Sequence, residues 1–396
     1  MKTNITTFSS WKNNMKLIYI TNARIPTEKA HGIQIMEACS VFAKEGLEVE
    51  LIVPRRFNWI KKDPFEYYGK ERNFKIKKLP CLDLIILDKY IGHLGLWIES
   101  FTFLLFAFFY MIFQKADIIY TRDKFFLSFS LIKNNIIFEA HTFPRKYYLY
   151  SFFFKRVRGI VAITQNLGNF FTMRDKGNKG KIIVLPDGVD LAEFDIKKTQ
   201  EKNSNRKKLG LPLEKNIVLY SGHLYGWKGV SVLLEVAKSF SDLDYVQFVF
   251  IGGTEKDVEE FKQKARGLSN VTIVGHKPHS EIPYWLSAAD VLVLPNSGKE
   301  DISKLWTSPM KMFEYMASGR PIVASDLPSL REVLNENNSV LVEPDNPEKL
   351  AAAIKKILEN PQLAEKISDQ AFMEVQDYTW EKRVKKIFEF LSSKNS

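Results

Sequence analysis

Cysteine is nearly absent from this chain of 396 residues, which contains only Cys39 and Cys81. Two cysteines so far apart provide neither a disulfide framework nor the closely spaced ligand pairs of a zinc site. The first fourteen residues are polar and lack the apolar segment of a signal peptide. We therefore expect a protein of a reducing compartment, the cytoplasm, and not a disulfide-stabilised secreted domain.

Glycine-rich phosphate-binding motifs are missing as well. The sequence has neither the Walker loop nor the G-x-G-x-x-G fingerprint, which disfavours a P-loop nucleotidase and a standard dinucleotide-binding enzyme. Acidic residues are outnumbered by basic ones, and the net charge of +11 indicates anionic partners such as phosphates, nucleic acid or an acidic membrane. Because no recognised nucleic-acid-binding module is present, nucleic acid is not an expected partner.

The chain does contain a regular alternation of short Ile- and Val-rich runs with helical stretches. Such runs, apolar on both faces, are typical of parallel strands in α/β proteins. The runs are KLIYI, EVELIV, DIIYT, NIIFEA, GIVAIT, KIIVLP, NIVLY, VQFVFIG, VTIVG, DVLVLP and PIVAS. The pattern predicts two doubly wound, Rossmann-like domains, whose ligands bind beyond the carboxyl ends of the strands.

A charged and polar segment between the two halves, residues 196–212, is the predicted linker. It separates an N-terminal domain of residues 15–195 from a C-terminal domain of residues 213–376. Two such domains facing each other would leave a ligand-binding cleft between them.

One acidic residue, Glu314, lies in a short and otherwise apolar helix. Ser308 is a favoured N-cap, Pro309 a favoured first helical residue, and Gly319 suits the left-handed position after the helix. A carboxylate in such a helix is either solvated on an outer face or binds a ligand. Two vicinal hydroxyls of a ribose are a suitable ligand for it.

Lys228 is predicted at or just before the N-terminus of another helix, VSVLLEVAK. A cation is unfavourable at that end of a helix by roughly 0.3–1 kcal/mol, unless the lysine and the helix amides share an anion. The start of the Glu314 helix offers further amides, those of Met310 and Lys311. Two helix ends and a lysine suit a diphosphate, and a lysine extended into solvent is an equal alternative.

At these residues the chain resembles the donor-binding half of the retaining glycosyltransferases of family four, also called glycosyl transferases group 1. The segments that carry the resemblance are GHLYGWKGV, SAADVLVLPNS and SPMKMFEYMASGRPIVASDLPSLREVL. Further segments, FEAHTFP, LPDGVDLAEF and YTWEKRVKKIFEFL, extend it over nearly the whole chain from Met15. The resemblance implies the GT-B fold, two Rossmann-like domains facing a central cleft, with residues 377–396 crossing back to the N-terminal domain.

The resemblance also implies roles for individual residues. Glu314 corresponds to the ribose-binding glutamate of the family, and Lys228 to its diphosphate-binding lysine. Gly32 corresponds to a glycine loop that lets donor and acceptor approach the backbone, and His141 to a histidine near the donor sugar. His141 and Lys228 are thus the candidate catalytic residues, although a lone histidine is as often structural; His31, beside Gly32, is a weaker candidate.

Two positions depart from the family pattern. His223 stands where the family usually has an arginine that partners the lysine, and Trp306 stands where it usually has a glutamate that contacts the donor sugar. Trp306 is a candidate for stacking on the sugar, or a packing residue. Because of these departures, the sequence does not predict the identity of the donor sugar. Two alternatives to a glycosyltransferase also remain: a non-catalytic nucleotide-sugar binding protein and a GT-B sugar-nucleotide epimerase.

The function implied by the resemblance is transfer of a sugar, with retained anomeric configuration, from a nucleoside-diphosphate sugar to an acceptor hydroxyl. The expected setting is cell-surface polysaccharide or glycolipid synthesis, with a sugar or a lipid-linked molecule as acceptor. Lys228 and the helix amides would stabilise the leaving diphosphate. Neither a metal nor a cofactor is therefore expected.

One long apolar segment, Leu94–Phe113, approaches transmembrane length. Because Glu99 interrupts it and a predicted strand follows, we expect a buried Rossmann helix or, alternatively, a helix at the bilayer surface, but not a full span. Residues 144–159 are basic and aromatic, which suits a membrane interface or a helix with a solvated basic face. A peripheral position on the inner face of the plasma membrane would rest on four cations of this stretch, Arg145, Lys146, Lys155 and Arg156.

Overall fold

The computed structural model describes residues 15–144, 146–178, 180–194 and 202–393. The polar leader, Arg145 and residues 196–201 of the predicted linker lie outside these described residues. The chain divides into two compact units. The first comprises the described parts of Met1–Ile163, Leu167–Leu185 and Val384–Ser396, and the second comprises Thr164–Asn166 and the described part of Pro186–Arg383.

The first unit is built on a parallel sheet of seven strands in the order β3-β2-β1-β4-β5-β6-β7. The strands are β1 (Lys16–Ile20), β2 (Glu48–Pro54), β3 (Lys75–Leu79), β4 (Ile118–Thr121), β5 (Ile136–Ala140), β6 (Gly159–Ala162) and β7 (Ile182–Val184). The helices of this part of the chain are α1 (Ala30–Lys44), α2 (Pro64–Tyr68), α3 (Asp88–Ile91), α4 (Leu94–Phe113), α5 (Tyr147–Arg156) and α6 (Gln165–Arg174). Strand order reverses between β1 and β4, and ligands of such sheets bind at that switch point.

The second unit has a parallel sheet of six strands in the order β10-β9-β8-β11-β12-β13. The strands are β8 (Asn216–Ser221), β9 (Val246–Ile251), β10 (Val271–Gly275), β11 (Val291–Leu294), β12 (Ile322–Ser325) and β13 (Val340–Val342). The helices are α7 (Lys202–Leu209), α8 (Val230–Ser239), α9 (Glu255–Lys264), α10 (Ile282–Ser287), α11 (Met310–Ala317), α12 (Pro347–Leu358), α13 (Pro361–Val375) and α14 (Trp380–Ser392). From Val384 on, α14 is part of the first unit.

Strand β8 shows why the predicted runs are apolar on both faces. Ile217 and Leu219 belong to one hydrophobic cluster, and Val218 and Tyr220 belong to another. Successive side chains of a strand point to opposite faces of the sheet, so each face of β8 is covered by its own core. The prediction of an α/β protein with two parallel sheets is confirmed.

Strands β3 and β13 were not predicted from the sequence. Each lies at an edge of its sheet, and neither is buried along its length: β3 carries exposed lysines and β13 is half-buried. Lysines interrupt the apolar pattern of β3, by which a buried parallel strand is recognised, and β13 has only three residues. The prediction therefore identified the central strands and the opposite edges, β7 and β10, and overlooked these two.

The described part of the predicted linker is not a solvated connection. Residues 202–209 form α7, and Arg206 on this helix is buried, with its Nη2 bonded to Asp290 and its Nε donating to the carbonyl of Ala288 at 2.9 Å. A charged residue can be buried when ionic and carbonyl partners satisfy it. The polar composition of residues 202–209 gave no indication of this helix, which packs on the second unit.

Helix α4 is not the buried Rossmann helix that was the first of the two expectations. Only the residues of one narrow face are buried, spaced four residues apart: Gly95, Glu99, Phe103, Ala107 and Met111. Several large apolar residues on the remaining surface are exposed, among them Trp97 at 62% and Phe101 at 66%. Among the described residues, α4 is the helix long and apolar enough to cross a membrane, a test that core helices of soluble proteins also pass.

Candidate functional site

The strongest cluster of functional side chains lies in the second unit, at the carboxyl end of β8. Strand β8 pairs with β9 on one side and with β11 on the other, which makes this the switch point of the sheet. The loop after β8 is held against the end of β11: a Cβ on Gly229 would lie 1.7 Å from the carbonyl oxygen of Pro295. The amide of Ser297 donates to the carbonyl of Trp227 at 3.0 Å.

Lys228 occupies the predicted position directly before a helix. It ends the short 3-10 turn Gly226–Lys228, and Gly229, in the left-handed conformation, is the N-cap of α8. Its Nζ lies 3.8 Å from the centroid of the Trp227 ring. Desolvation by burial lowers the pKa of Lys228 to about 7. The lysine is therefore partly neutral until an anion favours its charged form.

Lys311 is a second cation at this site, and its side chain was missed by the sequence analysis, which assigned only its backbone amide. The residue is buried on α11, and its Nζ has no hydrogen-bond partner among the described residues. The Nζ lies 3.8 Å from the centroid of the Tyr220 ring. Burial and then the charge of Lys228 hold the pKa of Lys311 well below its ordinary value, against the opposing effect of Glu314.

Glu314 lies on the same helix, less than one turn beyond Lys311, and is buried rather than solvated. Its Oε1 accepts a hydrogen bond from Nε2 of His279 at 2.9 Å, and Nδ1 of His279 lies 3.4 Å from a carboxylate oxygen of Glu193. His279 was not predicted as a site residue, because it is far from Glu314 in sequence. Its imidazole fixes the orientation of the Glu314 carboxylate.

The start of α11 differs by one residue from the prediction. The helix begins at Met310, and the N-cap is Pro309, without a side-chain cap. Ser308 is therefore not the N-cap: its buried hydroxyl accepts the amide of Asp187 at 3.0 Å. Gly319 has the predicted left-handed conformation, with φ of 63°. The amides of Met310 and Lys311 lie in the first turn, where N–H groups have no partner within the helix.

The two departures from the family pattern flank this cluster. The His223 ring stacks on Tyr225 with 4.8 Å between ring centroids, and the His223 carbonyl accepts the Tyr220 hydroxyl at 2.7 Å. Trp306 is half-buried at the end of the π-helical turn Ile302–Trp306. The proposed contact of Trp306 with a sugar stays a prediction.

A separate cluster in the first unit surrounds His141, which follows β5. The His141 Nε2 lies 2.6 Å from Oε1 of Glu139 and 3.1 Å from Nε2 of Gln34. Glu139 is buried, and it also accepts the hydroxyl of Tyr120. A histidine whose Nε2 is bonded to a buried carboxylate has a fixed ring orientation. Its role near a donor sugar stays a prediction.

Gly32 has an explanation within the protein that the sequence analysis did not foresee. It is buried in α1, and a Cβ at this position would lie 2.2 Å from the Tyr68 hydroxyl and 2.6 Å from the Thr27 side chain. The Tyr68 hydroxyl occupies this space because it bonds both the amide and the carbonyl of Thr27 at 2.8 Å. Tyr68 and Thr27 therefore explain why no side chain fits at position 32, and the approach of donor and acceptor to this backbone stays a prediction. Burial also lowers the pKa of neighbouring His31 to about 3.

The structure thus brings the charges of Lys228, Lys311 and Glu314 together in the second unit. His141 and Gly32 belong to the first unit, where they lie on separate elements. The expectation that no metal is required stays a prediction.

Comparison with known proteins gives this cluster a family context. Residues 201–373 match the family Glycosyl transferases group 1. The D-inositol 3-phosphate glycosyltransferase 1 of Catenulispora acidiphila is 25% identical over 220 residues, which cover 52% of this chain and 50% of that protein. The chain spans about half the length of the curated relatives it matches.

Solved structures extend the likeness in fold to nearly the whole chain. Sucrose-phosphate synthase from Thermosynechococcus elongatus has a TM-score of 0.76 at 19% identity, covering 96% of this chain and 98% of that one. Anabaena Alr3699/HepE in complex with UDP-glucose has a TM-score of 0.74 at 17% identity, covering 96% and 100%. The resemblance to the group 1 glycosyl transferases is therefore confirmed: residues 201–373 of this chain match that family, and the chain has the GT-B fold.

Proposed function

We propose that this protein transfers a sugar from a nucleoside-diphosphate sugar to an acceptor hydroxyl in cell-surface polysaccharide or glycolipid synthesis. The observation that carries the proposal is the buried Nζ of Lys311, which has no hydrogen-bond partner in the part of the chain that the structure describes. Burial lowers the pKa of Lys311, and the charge of Lys228 lowers it further. Two desolvated cations side by side repel each other and destabilise the free protein. A diphosphate between them removes both penalties, because it supplies the missing counter-charge.

The same charges suit the chemical step. As the anomeric C–O bond breaks, negative charge develops on the departing diphosphate. Lys228, Lys311 and the first-turn amides of α11 are fixed before the reaction, so they stabilise that charge without reorganisation. The two lysines would supply the positive charge that a metal ion supplies to the diphosphate in metal-dependent sites, and the proposed reaction needs neither a metal nor a cofactor.

We propose that the carboxylate of Glu314 binds the ribose of the nucleotide. His279 bonds Oε1 of its carboxylate, which leaves Oε2 as the acceptor for two vicinal hydroxyls. For His141, whose Nε2 lies 2.6 Å from Oε1 of Glu139, we propose a hydrogen bond to the sugar or to the acceptor hydroxyl. The retained configuration is part of the proposal: the donor phosphate itself would take the proton of the acceptor hydroxyl, with attack on the face that the leaving group vacates.

Transfer assays test the proposal. UDP-glucose is the first donor to use, because Anabaena Alr3699/HepE, which shares the fold, was solved in complex with it. We expect saturable binding of UDP and UDP-glucose in calorimetry, and transfer of labelled sugar to a lipid-linked or soluble saccharide acceptor, with retention visible in the proton NMR coupling of the product. Failure of a panel of UDP-, GDP- and ADP-sugars to bind would refute it.

Trp306 favours a second candidate, a protein that binds nucleotide sugars without transferring them. The family glutamate that contacts the sugar is replaced here by an indole, which can bind a sugar ring but provides no carboxylate. Such a protein would bind UDP-glucose and release neither product sugar nor UDP. A GT-B epimerase would instead form a free epimerised nucleotide sugar, which chromatography of the same reaction detects.

Replacement of Trp306 by alanine should alter the preference among donor sugars and leave the affinity for the nucleotide unchanged. If the indole stacks on the apolar face of a sugar, Trp306→Ala should lower the affinity for UDP-glucose roughly three- to tenfold, the usual range for a lost aromatic contact. The affinity for UDP, measured by calorimetry, should stay within twofold. An equal loss for both ligands would identify Trp306 as a packing residue.

Donor binding should weaken as the pH rises above neutrality. The pKa of Lys228 is about 7 in the free protein, and a bound diphosphate raises it, so binding takes up a proton. The affinity for UDP-glucose, which has no ionisation near neutral pH, is highest below pH 7 and should fall roughly twentyfold between pH 6.5 and 8.5. The pKa of Lys311 is also lowered, so its titration changes the affinity in the same direction.

The Lys228→Arg variant isolates the contribution of Lys228. A guanidinium stays charged over the whole range, so the decline between pH 7 and 8.5 should be smaller in this variant than in the parent. Calorimetric titrations in buffers of different ionisation enthalpy measure the proton uptake directly. Identical pH profiles of the two proteins would exclude Lys228 from the diphosphate site.

A further inference from the structure

Helix α4 presents a stripe of large apolar side chains to solvent. Trp97, Phe101, Leu105, Phe109 and Ile112 follow one another at intervals of three or four residues, and each is between 43% and 66% exposed. Such spacing places them on one face of the helix, and twenty residues of helix are about 30 Å long. An exposed apolar stripe of this length is unusual for a soluble monomer and marks an interaction surface.

Polar contacts fix the opposite face of α4 to the sheet. Buried Glu99 accepts hydrogen bonds from Nε of Arg56 at 2.7 Å and from Nδ2 of Asn22 at 3.2 Å. Near the other end, the hydroxyl of Tyr110 donates to Glu50 at 2.9 Å. Both contacts tie α4 to residues in or just beyond β1 and β2. The helix therefore cannot leave the unit to cross a bilayer without breaking a buried ion pair.

The stripe continues onto the neighbouring elements. Helix α3 and the 3-10 turn Ile85–Leu87 before it pack on α4. The 3-10 turn Lys124–Leu131 contacts both α4 and α5. The Trp97 ring meets the Phe125 ring edge-on, with 6.4 Å between centroids. Together with the α4 stripe, the exposed apolar residues of these neighbours form a surface that we name the apolar face: Ile86, Leu87, Tyr90, Ile91, Leu131, Ile132, Tyr148, Leu149 and Phe152.

The exposed charges in the segments that form the apolar face are mostly positive. Among the described residues between 85 and 158, the exposed charged side chains are five cations and one carboxylate: Lys89, Lys115, Asp117, Lys146, Lys155 and Arg156. A second copy of the chain would bring the same cations together and be repelled. An anionic bilayer offers both counterparts, acidic headgroups for the cations and an acyl region for the aromatic and aliphatic side chains.

We propose that the apolar face docks on the surface of an anionic lipid bilayer, with α4 lying in the plane of the interface. Trp97, Phe101 and Phe109 enter the boundary between headgroups and acyl chains, while Lys146 and Lys155 contact lipid headgroups. Glu99 and Tyr110 hold the helix against its own unit, so docking is peripheral and reversible. The surface lies wholly in the first unit and is independent of the proposed donor site.

Flotation with vesicles tests the proposal, using the full chain. We expect binding to phosphatidylcholine vesicles that contain phosphatidylglycerol, weaker binding to phosphatidylcholine alone, and partial release by salt. The variant Phe101→Ser/Phe109→Ser should lower partitioning roughly tenfold or more, since binding strength follows the apolar area that enters the interface. Its control is Met373→Ser, which changes a side chain of the second unit that is 60% exposed.

The charge contribution is tested by Lys146→Glu/Lys155→Glu, with Lys207→Glu/Lys208→Glu as control. Both pairs are exposed and make the same change in net charge, but the control pair lies on α7 of the second unit. Only the first pair should abolish the preference for anionic vesicles. Thermal melting and UDP binding of each variant verify that it is folded.

Depth is measured at Trp97. Brominated acyl chains should quench the fluorescence of the parent, and Trp97→Phe should lose most of that quenching while it still binds the vesicles. No binding to anionic vesicles at low salt, or binding unaffected by Phe101→Ser/Phe109→Ser, would overturn the proposal. A dimer in sedimentation that dissociates in this variant, without vesicle binding by the parent, would assign the face to a second copy instead.

Discussion

Replacing Lys311 by methionine should stabilise the ligand-free protein and weaken its binding of UDP-glucose at the same time. The buried Nζ of Lys311 has no hydrogen-bond partner among the described residues, so in the free protein its charge is a penalty. Methionine fills a similar volume without a charge. We expect the free energy of unfolding to rise by on the order of 1–3 kcal/mol near neutral pH.

The gain in stability should depend on pH in a defined direction. The folded protein holds the pKa of Lys311 well below its ordinary value of about 10.5, so between these values the unfolded chain binds more protons than the folded one. The penalty of the parent is therefore greatest at low pH and disappears as the pH approaches 10.5. Thermal melting of parent and Lys311→Met at several pH values should show curves that converge at alkaline pH.

Binding should change in the opposite direction. One charge-assisted hydrogen bond contributes roughly 1.5–3 kcal/mol, so the affinity for UDP and UDP-glucose should fall about ten- to a hundredfold in Lys311→Met. Uridine, which has no phosphate, should bind as it does to the parent. The control is Lys304→Met, which removes an exposed lysine from the same unit and should change neither quantity. Reduced stability together with unchanged affinity for UDP would disprove the assignment of Lys311 to the diphosphate.

The sequence was sufficient to predict most of the strands because their signal is local. Eleven Ile- and Val-rich runs were read as strands, and each corresponds to a strand of the structure. The start of α11 was displaced by only one residue, since Ser308 and Pro309 both favour a helix start. There the hydroxyl of Ser308 binds the distant amide of Asp187 instead of capping the helix, and a partner far along the chain leaves no local signal.

The candidate site was predicted less completely, because its decisive features are tertiary. Lys228 and Glu314 could be found from their positions beside a helix start and within an apolar helix. Lys311 could not, since a lysine on a helix is usually solvated and only the packing of α11 turns it toward Tyr220. His279 reaches Glu314 from the loop after β10, and only the strand order brings these residues together.

The surroundings of helix α4 could not be predicted from the sequence either. Its composition alone fits a core helix, an interfacial helix and a membrane span equally well. What distinguishes them is which face the sheet covers, and that depends on Glu99 meeting Arg56 beyond the end of β2. The sequence contained the buried carboxylate but gave no indication of its partner.

Substitution of Glu314 by glutamine should lower the affinity for ligands that carry ribose hydroxyls and leave the affinity for ligands without them unchanged. Glutamine keeps the shape of the side chain and one acceptor oxygen but removes the charge. Because hydrogen bonds to a charged acceptor contribute roughly 1.5–3 kcal/mol, the affinity for UDP should fall about ten- to a hundredfold. The 2′,3′-dideoxy analogue of UDP already lacks these bonds, so its affinity should be nearly the same for Glu314→Gln and the parent.

The contact with His279 makes a second explanation possible, because Glu314→Gln also changes the bond to Nε2 of that histidine. The variant His279→Gln separates the two effects, since its side-chain amide can still donate to Oε1 of Glu314. If the carboxylate binds ribose directly, His279→Gln should cost less affinity for UDP than Glu314→Gln does. The affinity for the dideoxy analogue should be nearly the same for the parent and for both variants.

The affinities of the parent and of one variant, each for UDP and for the dideoxy analogue, form a thermodynamic cycle. Its coupling energy measures the contact between the carboxylate and the ribose. Equal losses for UDP and its dideoxy analogue would give no coupling, and Glu314 would then act on the local structure through His279 and not on the nucleotide.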